Sequence, residues 1–166
     1  MLNTPLGQFS TFDTPQSRII VSTSAAIRNA DGSTDTVAAT VDTFTFNPGL
    51  MKPGTVCRLQ HVWTCTGGAS TKIMQANFGA SSLAGVSTTS NTQIGIYNIF
   101  WCGSVVTTQK AIPYGNAWTN IGASAIQVPT NDMSTPINLN FACRWTANAP
   151  GEFIQLEYWM LEIINP

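Results

Sequence analysis

Apolar residues recur at every second position along most of this chain, and clusters of Gly, Pro, Asn, Ser and Thr separate the runs. A period of two sends successive side chains to opposite faces of an extended strand, so the pattern predicts β-structure and no amphipathic helix. The clearest run is INLNFACRWT, residues 137–146. There Ile137, Leu139, Phe141, Cys143 and Trp145 share one face, and Asn138, Asn140, Ala142, Arg144 and Thr146 share the other. TVCRLQHVWTC (55–65) puts Cys57, Leu59, His61, Trp63 and Cys65 on one face, and TKIMQANFG (71–79) does so with Met74, Ala76 and Phe78. Further strands are expected over 17–27, VDTFTF (41–46), SVVTTQKAI (104–112) and FIQLEYWMLEII (153–164). QIGIYNIFWCG (93–103) is apolar on both faces, which predicts a central strand covered on both sides. RNADGSTD (28–35), NPGLMKPG (47–54), TGGAS (66–70) and ASSLAGVSTTSN (80–91) read as turns or loops, and PYGNAWTNIGAS (113–124) as a long loop or partial strand.

Eight or nine short strands with turn signals between them predict an all-β sandwich or barrel. The expected organisation is one β-sandwich domain over 17–166, preceded by an extended N-terminal arm over 1–16. The apolar side of 137–146 should meet those of 55–65 and 94–102 across a sandwich ~10 Å thick. Trp63, Phe100, Phe141, Trp145 and Tyr158 are the large side chains expected inside.

Composition changes this picture in one respect. Apolar residues make up 43% of the 166, enough for a real core, but charged residues make up only 9% and the net charge is −1. An average globular chain carries about 25% charged residues. Here Ser, Thr, Asn, Gln and Gly replace them, giving a surface that hydrogen-bonds well and repels copies of itself weakly. Seven basic residues without a cluster argue against a nucleic-acid partner. No apolar run approaches the ~20 residues of a membrane span, and MLNTPLGQFSTFD does not read as a signal peptide. Synthesis in a cytoplasm is expected, with no membrane partner.

Candidate chemistry is sparse. His61, the single histidine, sits between Leu59 and Trp63 on an apolar strand face. A base needs an orienting partner and a nucleophile, so a buried imidazole bonded to a neighbour is the favoured reading over catalysis or metal binding. Cys57, Cys65, Cys102 and Cys143 match no common zinc spacing and read as buried thiols. Asp31 and Asp35 lie in a loop without EF-hand alternation, so turn chemistry is favoured over calcium. Asp42 and Glu157 are conceivable as a glycosidase pair only if the fold opposes them across a cleft. TGGAS and NPG lack the following helix and Gly-Lys-Ser/Thr of a phosphate loop. No catalytic residue, metal or cofactor is assigned.

Aromatics on both faces of two strands are the remaining signal. Trp101, Trp118 and Trp159 admit three readings: a subunit interface, a thick core or a sugar-stacking platform. In the arm, Leu2, Leu6, Phe9 and Phe12 are interrupted by Pro5 and Gly7, which disfavours a helix. An extended arm docked on a neighbouring subunit and one packed on its own domain are both open. The candidate interface is therefore Leu2, Leu6, Phe9, Phe12, Trp101, Trp118 and Trp159.

From about residue 47 onward the chain resembles structural proteins of tailed-bacteriophage virions. NPGLMKPGTVCRLQHVWTCTGGASTKIMQANFGASSL carries a Pro-Gly turn, a strand ending in an aromatic, a Gly/Thr/Ser-rich turn and a strand closing on Phe-Gly. VVTTQKAI and INLNF continue the likeness, while the cysteines and the length of PYGNAWTNIG depart from it. The resemblance implies a jelly-roll fold, no catalytic residues and no cofactor. It implies a capsid decoration (cement) or head-fibre subunit on the capsid surface, bridging major capsid protein and copies of itself as a dimer or trimer. A receptor- or carbohydrate-binding tail-fibre tip is the second expectation, and a small hydrolase on a jelly roll is a distant third.

Overall fold

A computed structural model describes residues 16–22, 26–114 and 129–166, and its regular structure among them is all β. Ten strands follow one another: β1 (Gln16–Ser22), β2 (Ala26–Asn29), β3 (Ala39–Phe46), β4 (Val56–Cys65), β5 (Lys72–Phe78), β6 (Ser81–Thr88), β7 (Thr92–Cys102), β8 (Gln109–Tyr114), β9 (Ile137–Trp145) and β10 (Phe153–Asn165). Their antiparallel pairs are nested. β5 pairs β6, β4 pairs β7, β3 pairs β9, and β1 and β2 both pair β10. Folding this long ribbon over on itself brings β10 beside β4 and β9 beside β5. The result is a jelly roll of two sheets: β1-β10-β4-β7-β8, with β2 also on β10, and β3-β9-β5-β6. We call these sheet A and sheet B.

The core is built from the alternation itself. Leu139, Phe141, Cys143 and Trp145 of β9, with Met74, Ala76 and Phe78 of β5, face Cys57, Leu59, His61, Trp63 and Cys65 of β4 and Ile94, Ile96, Phe100 and Cys102 of β7. All of these are buried. Aromatic contacts bridge the two sheets: Phe46 meets Phe100 at 6.1 Å and Phe78 meets Phe100 at 5.2 Å between ring centroids. Phe141 stacks on Trp159 at 5.2 Å, with the ring planes 19° apart, and meets the His61 ring edge-on at 5.5 Å. The turn after β3 uses Gly49 (φ 83°) and Gly54 (φ 85°), in the left-handed region that side chains disfavour.

Several sequence expectations are corrected. The strand expected over 17–27 is two strands on one partner, β1 against 159–165 and β2 against 153–156 of β10. The small-residue loop expected over 80–91 is largely β6. Its alternation is masked by an irregularity between Ala76 and Asn77 that leaves Leu83 without a cross-strand partner, so inward Leu83 and Val86 fall three apart. A similar shift between Leu156 and Tyr158 skips Glu157 and flips the parity of β10. Ile154 and Leu156 point inward before it, and Trp159, Leu161 and Ile163 after it. Tyr158, expected inside, is therefore only half-buried, and its hydroxyl accepts a bond from the Gln60 amide at 3.0 Å. Residues 104–108, read as strand, form the turn into β8.

Replacing Phe141 with Ala should cost ~3–5 kcal/mol, lowering the melting midpoint by roughly 10 °C. Calorimetry or thermal circular dichroism checks this, and an unchanged midpoint would contradict the inward position of Phe141.

Candidate interaction faces

The two outer faces of the sandwich have opposite chemistry. On sheet A the strand register sets out-pointing residues in rows. One row runs Ser17, Ile164, Val56, Trp101; the next Ile19, Glu162, Arg58, Ile99; the next Val21, Met160, Gln60, Tyr97. Beyond the irregularity in β10, Ile27 pairs with Gln155 on the same face. Six large apolar side chains are well exposed among the described residues, and four of them are here: Ile19 (61%), Val21 (56%), Ile27 (51%) and Tyr97 (48%). On the four strands from β1 to β7 the charges in these rows are Arg58 and Glu162, which pair with each other at 3.1 Å, and exposed Lys110 of β8 extends the first row beside Trp101. Glu162 also accepts from the Ser17 hydroxyl at 2.9 Å.

β7 explains why this face was half legible. Its second apolar side was expected to be covered; Ile94, Ile96 and Phe100 are, but Tyr97 is exposed and Ile99 and Trp101 are half-buried. Among the described residues no layer covers that second side. Of the candidate interface residues, Trp101 lies on this face. Trp159 does not. It is 4% exposed inside the sandwich, between Phe44 and Phe141, and its indole N–H donates to Asp42 Oδ2 at 2.7 Å. The parity flip at Glu157 put it there. Leu2, Leu6, Phe9, Phe12 and Trp118 lie outside the described residues.

Sheet B presents a polar face with little charge. Thr43 donates to Asn140 and Thr45 to Asn138, each at 2.9 Å across β3 and β9. Gln75 donates to Asn77 at 3.0 Å along β5, and Asn77 lies opposite Asn140. Arg144 is the exposed charge of β9 on this side.

The ionisable groups are occupied structurally. His61 Nδ1 accepts from the Trp63 indole N–H at 2.7 Å, so the ring proton sits on Nε2, 3.2 Å from the Asn98 side-chain amide. That proton is satisfied when the amide turns its oxygen toward the ring, which also gives Asn98 Oδ1 its donor. Burial holds the imidazole neutral and pushes its pKa down to about 3. The four cysteines are buried free thiols. Burial raises the pKa of each, pushing Cys143 up to about 11, so none is a ready nucleophile.

At the end of the sandwich where β2, β4 and β9 finish, the carboxylates serve turns. Asp31 accepts backbone N–H bonds from Thr34 and Ser33, which hold its carboxyl well below the usual range. Buried Asp35 accepts from Asp31, Gly32 and Ala149, joining the 30–38 loop to the β9–β10 turn. Arg28 donates to the carbonyls of Val37, Thr34 and Cys143 with its guanidinium over Trp145 at 5.1 Å. Lys72 was not singled out from the sequence, although it shares its parity with Met74. It is fully buried, donates to the Ser70 carbonyl at 3.0 Å and lies 2.6 Å from Glu152 Oε2. That last approach is off the hydrogen-bonding direction, which leaves it chiefly Coulombic. A Cβ on Gly68 would run into the Glu152 carboxylate, so the TGGAS glycines serve close packing. No group of three or more His, Cys, Asp and Glu among the described residues is placed to hold a metal ion.

Two predictions follow from these networks. His61 binds its proton at about pH 3 when folded and at 6.5 in a model peptide, so the unfolded chain takes up more protons in between. Its stabilising contribution is therefore full above pH 6.5 and declines as pH falls toward 3, by up to ~1.4 kcal/mol per pH unit. Denaturant melts between about pH 7 and 4.5 should show this slope, and His61→Gln should flatten it. Lys72→Ala should destabilise by ~3–5 kcal/mol by stranding the Glu152 carboxylate, whereas Lys72→Met with Glu152→Gln should cost much less in the same melts.

No family model and no curated protein matches the sequence. Among solved structures, the chain is similar to the infectious bursal disease virus VP2 subviral particle (TM-score 0.42, 10% identity, covering 99% of this chain and 37% of that one). It is also similar to dimeric latent PorU from Porphyromonas gingivalis (TM-score 0.42, 9% identity, covering 91% and 13%). A third is the CBM2 module of the evolved Dit of Lactobacillus casei BL23 phage J-1 (TM-score 0.33, 12% identity, covering 75% and 69%). The chain spans about a third of the length of the infectious bursal disease virus chains it matches, 32% in three of them.

Proposed function

We propose that this chain is a non-enzymatic virion structural protein that acts by binding alone. Its place is the capsid surface, as a decoration (cement) or head-fibre subunit that bridges neighbouring capsid proteins. One observation carries this reading: the exterior of the jelly roll is nearly uncharged, and the outer face of sheet A is patterned like a core face without its cover. Such a face gains free energy by being buried against a neighbour, and repeated on a symmetric lattice a modest contact adds up. The resemblance of residues 47–166 to phage virion proteins points the same way. The ionisable side chains described above are engaged in turns, ion pairs and the core, which fits a role without turnover.

A tail-fibre tip that binds a receptor or carbohydrate is the second reading. It is favoured by the Asn, Gln and Thr array on sheet B, whose uncharged donors and acceptors suit sugar hydroxyls.

Quantitative gel analysis of the purified particle that carries this chain separates the two. The decoration reading expects copies in the hundreds. A handful per particle, with binding to host-surface glycan, supports the tail reading. Absence from the particle overturns both.

A further inference from the structure

We propose that the outer face of sheet A pairs with the same face of a second copy, as a two-fold dimer whose axis runs along the strands between β4 and β10. The inference rests on the binding role proposed above and names its partner at this face. Three observations carry it.

The first is self-complementarity. An axis in the interface, parallel to the strands and midway between β4 and β10, lays β10 of one copy over β4 of the other and β1 over β7. The rows then meet their own kind. Val21 faces Tyr97, Ile19 faces Ile99, and Ile164 faces Val56. The second is charge. Arg58 and Glu162 stand in the central row on adjacent strands, with side chains 60% and 23% exposed. The same axis sets each Arg58 against the Glu162 of the other copy, so the charged groups of these rows on the four paired strands form one neutral four-membered cluster, with Lys110 of β8 outside the overlap. The third is size. The four paired strands, ~4.8 Å apart, with rows spread over ~10 residues at ~3.4 Å each, make a face of roughly 650 Å². That is toward the lower end of what one partner buries in a standard stable interface.

The test is the mass of the full-length protein in solution. Sedimentation equilibrium at micromolar concentration is expected to give a dimer, and Tyr97→Asp and Met160→Arg each to weaken it at least tenfold. Thermal melts should show both variants folded, since Tyr97 is 48% exposed and both side chains point away from the core. Arg58→Glu is expected to weaken the dimer and Arg58→Glu with Glu162→Arg to restore it. Because the native thiols are buried, a Val21→Cys and Tyr97→Cys double variant should give a covalent dimer on mild oxidation. A monomer, a trimer, or a dimer indifferent to all these changes overturns the proposal. So does a dimer that dissociates only when residues 1–12 are deleted, which makes the arm the occupant. None of these outcomes depends on where the protein sits in a particle.

Discussion

The jelly roll depends on aromatic rings meeting across two sheets. Phe46, Phe78 and Phe100 form one cluster, and Phe44, Trp159, Phe141, His61 and Trp63 form a chain of contacts through the rest of the interior. Nested strand pairing supplies hydrogen bonds, but it does not by itself close one sheet on the other. Ring packing does, because each aromatic removes a large area from water and its edge or face fits its neighbour. Several of the polar groups that enter this interior are hydrogen-bonded to one another. The indole of Trp63 answers His61, and the indole of Trp159 answers Asp42. Acid weakens this arrangement, since a charged imidazole cannot accept from Trp63.

Where the alternation is unbroken, the sequence carries the fold. β4, β5, β7 and β9 have nearly all their buried residues on the parity read directly from the chain, including His61 and the cysteines, with Val62 and Ala142 the exceptions. What period-two reading cannot carry is a bulge, because one unpaired residue reverses every later side chain. Glu157 in β10 sends Trp159 inward and Tyr158 outward. Leu83 in β6 turns an edge strand into what looks like a loop of small residues. Lys72 shows the opposite error. Its parity was legible, but charge argues for exposure until Glu152 and Ser70 are seen beside it.

The interaction face was legible as a contradiction. β7 is apolar on both sides, which in a sequence signals a strand covered twice, yet the described residues cover it once. The exposed Tyr97 and half-buried Ile99 and Trp101 are what the second side then presents. Sheet B shows the contrast, since Thr, Asn and Gln of its outer face bond to one another. The described sandwich is therefore sided, its sheet A face the more apolar and its sheet B face the more polar. That asymmetry, more than any ionisable group, is what the fold offers for function.

The most direct test of this sidedness is hydroxyl-radical footprinting of the protein across a dilution series, read residue by residue by mass spectrometry. The account predicts that Ile19, Tyr97 and Met160 become protected as concentration rises, while Ile73 on the sheet B face does not change. Protection of Ile73 with Tyr97 and Met160 unchanged would contradict it.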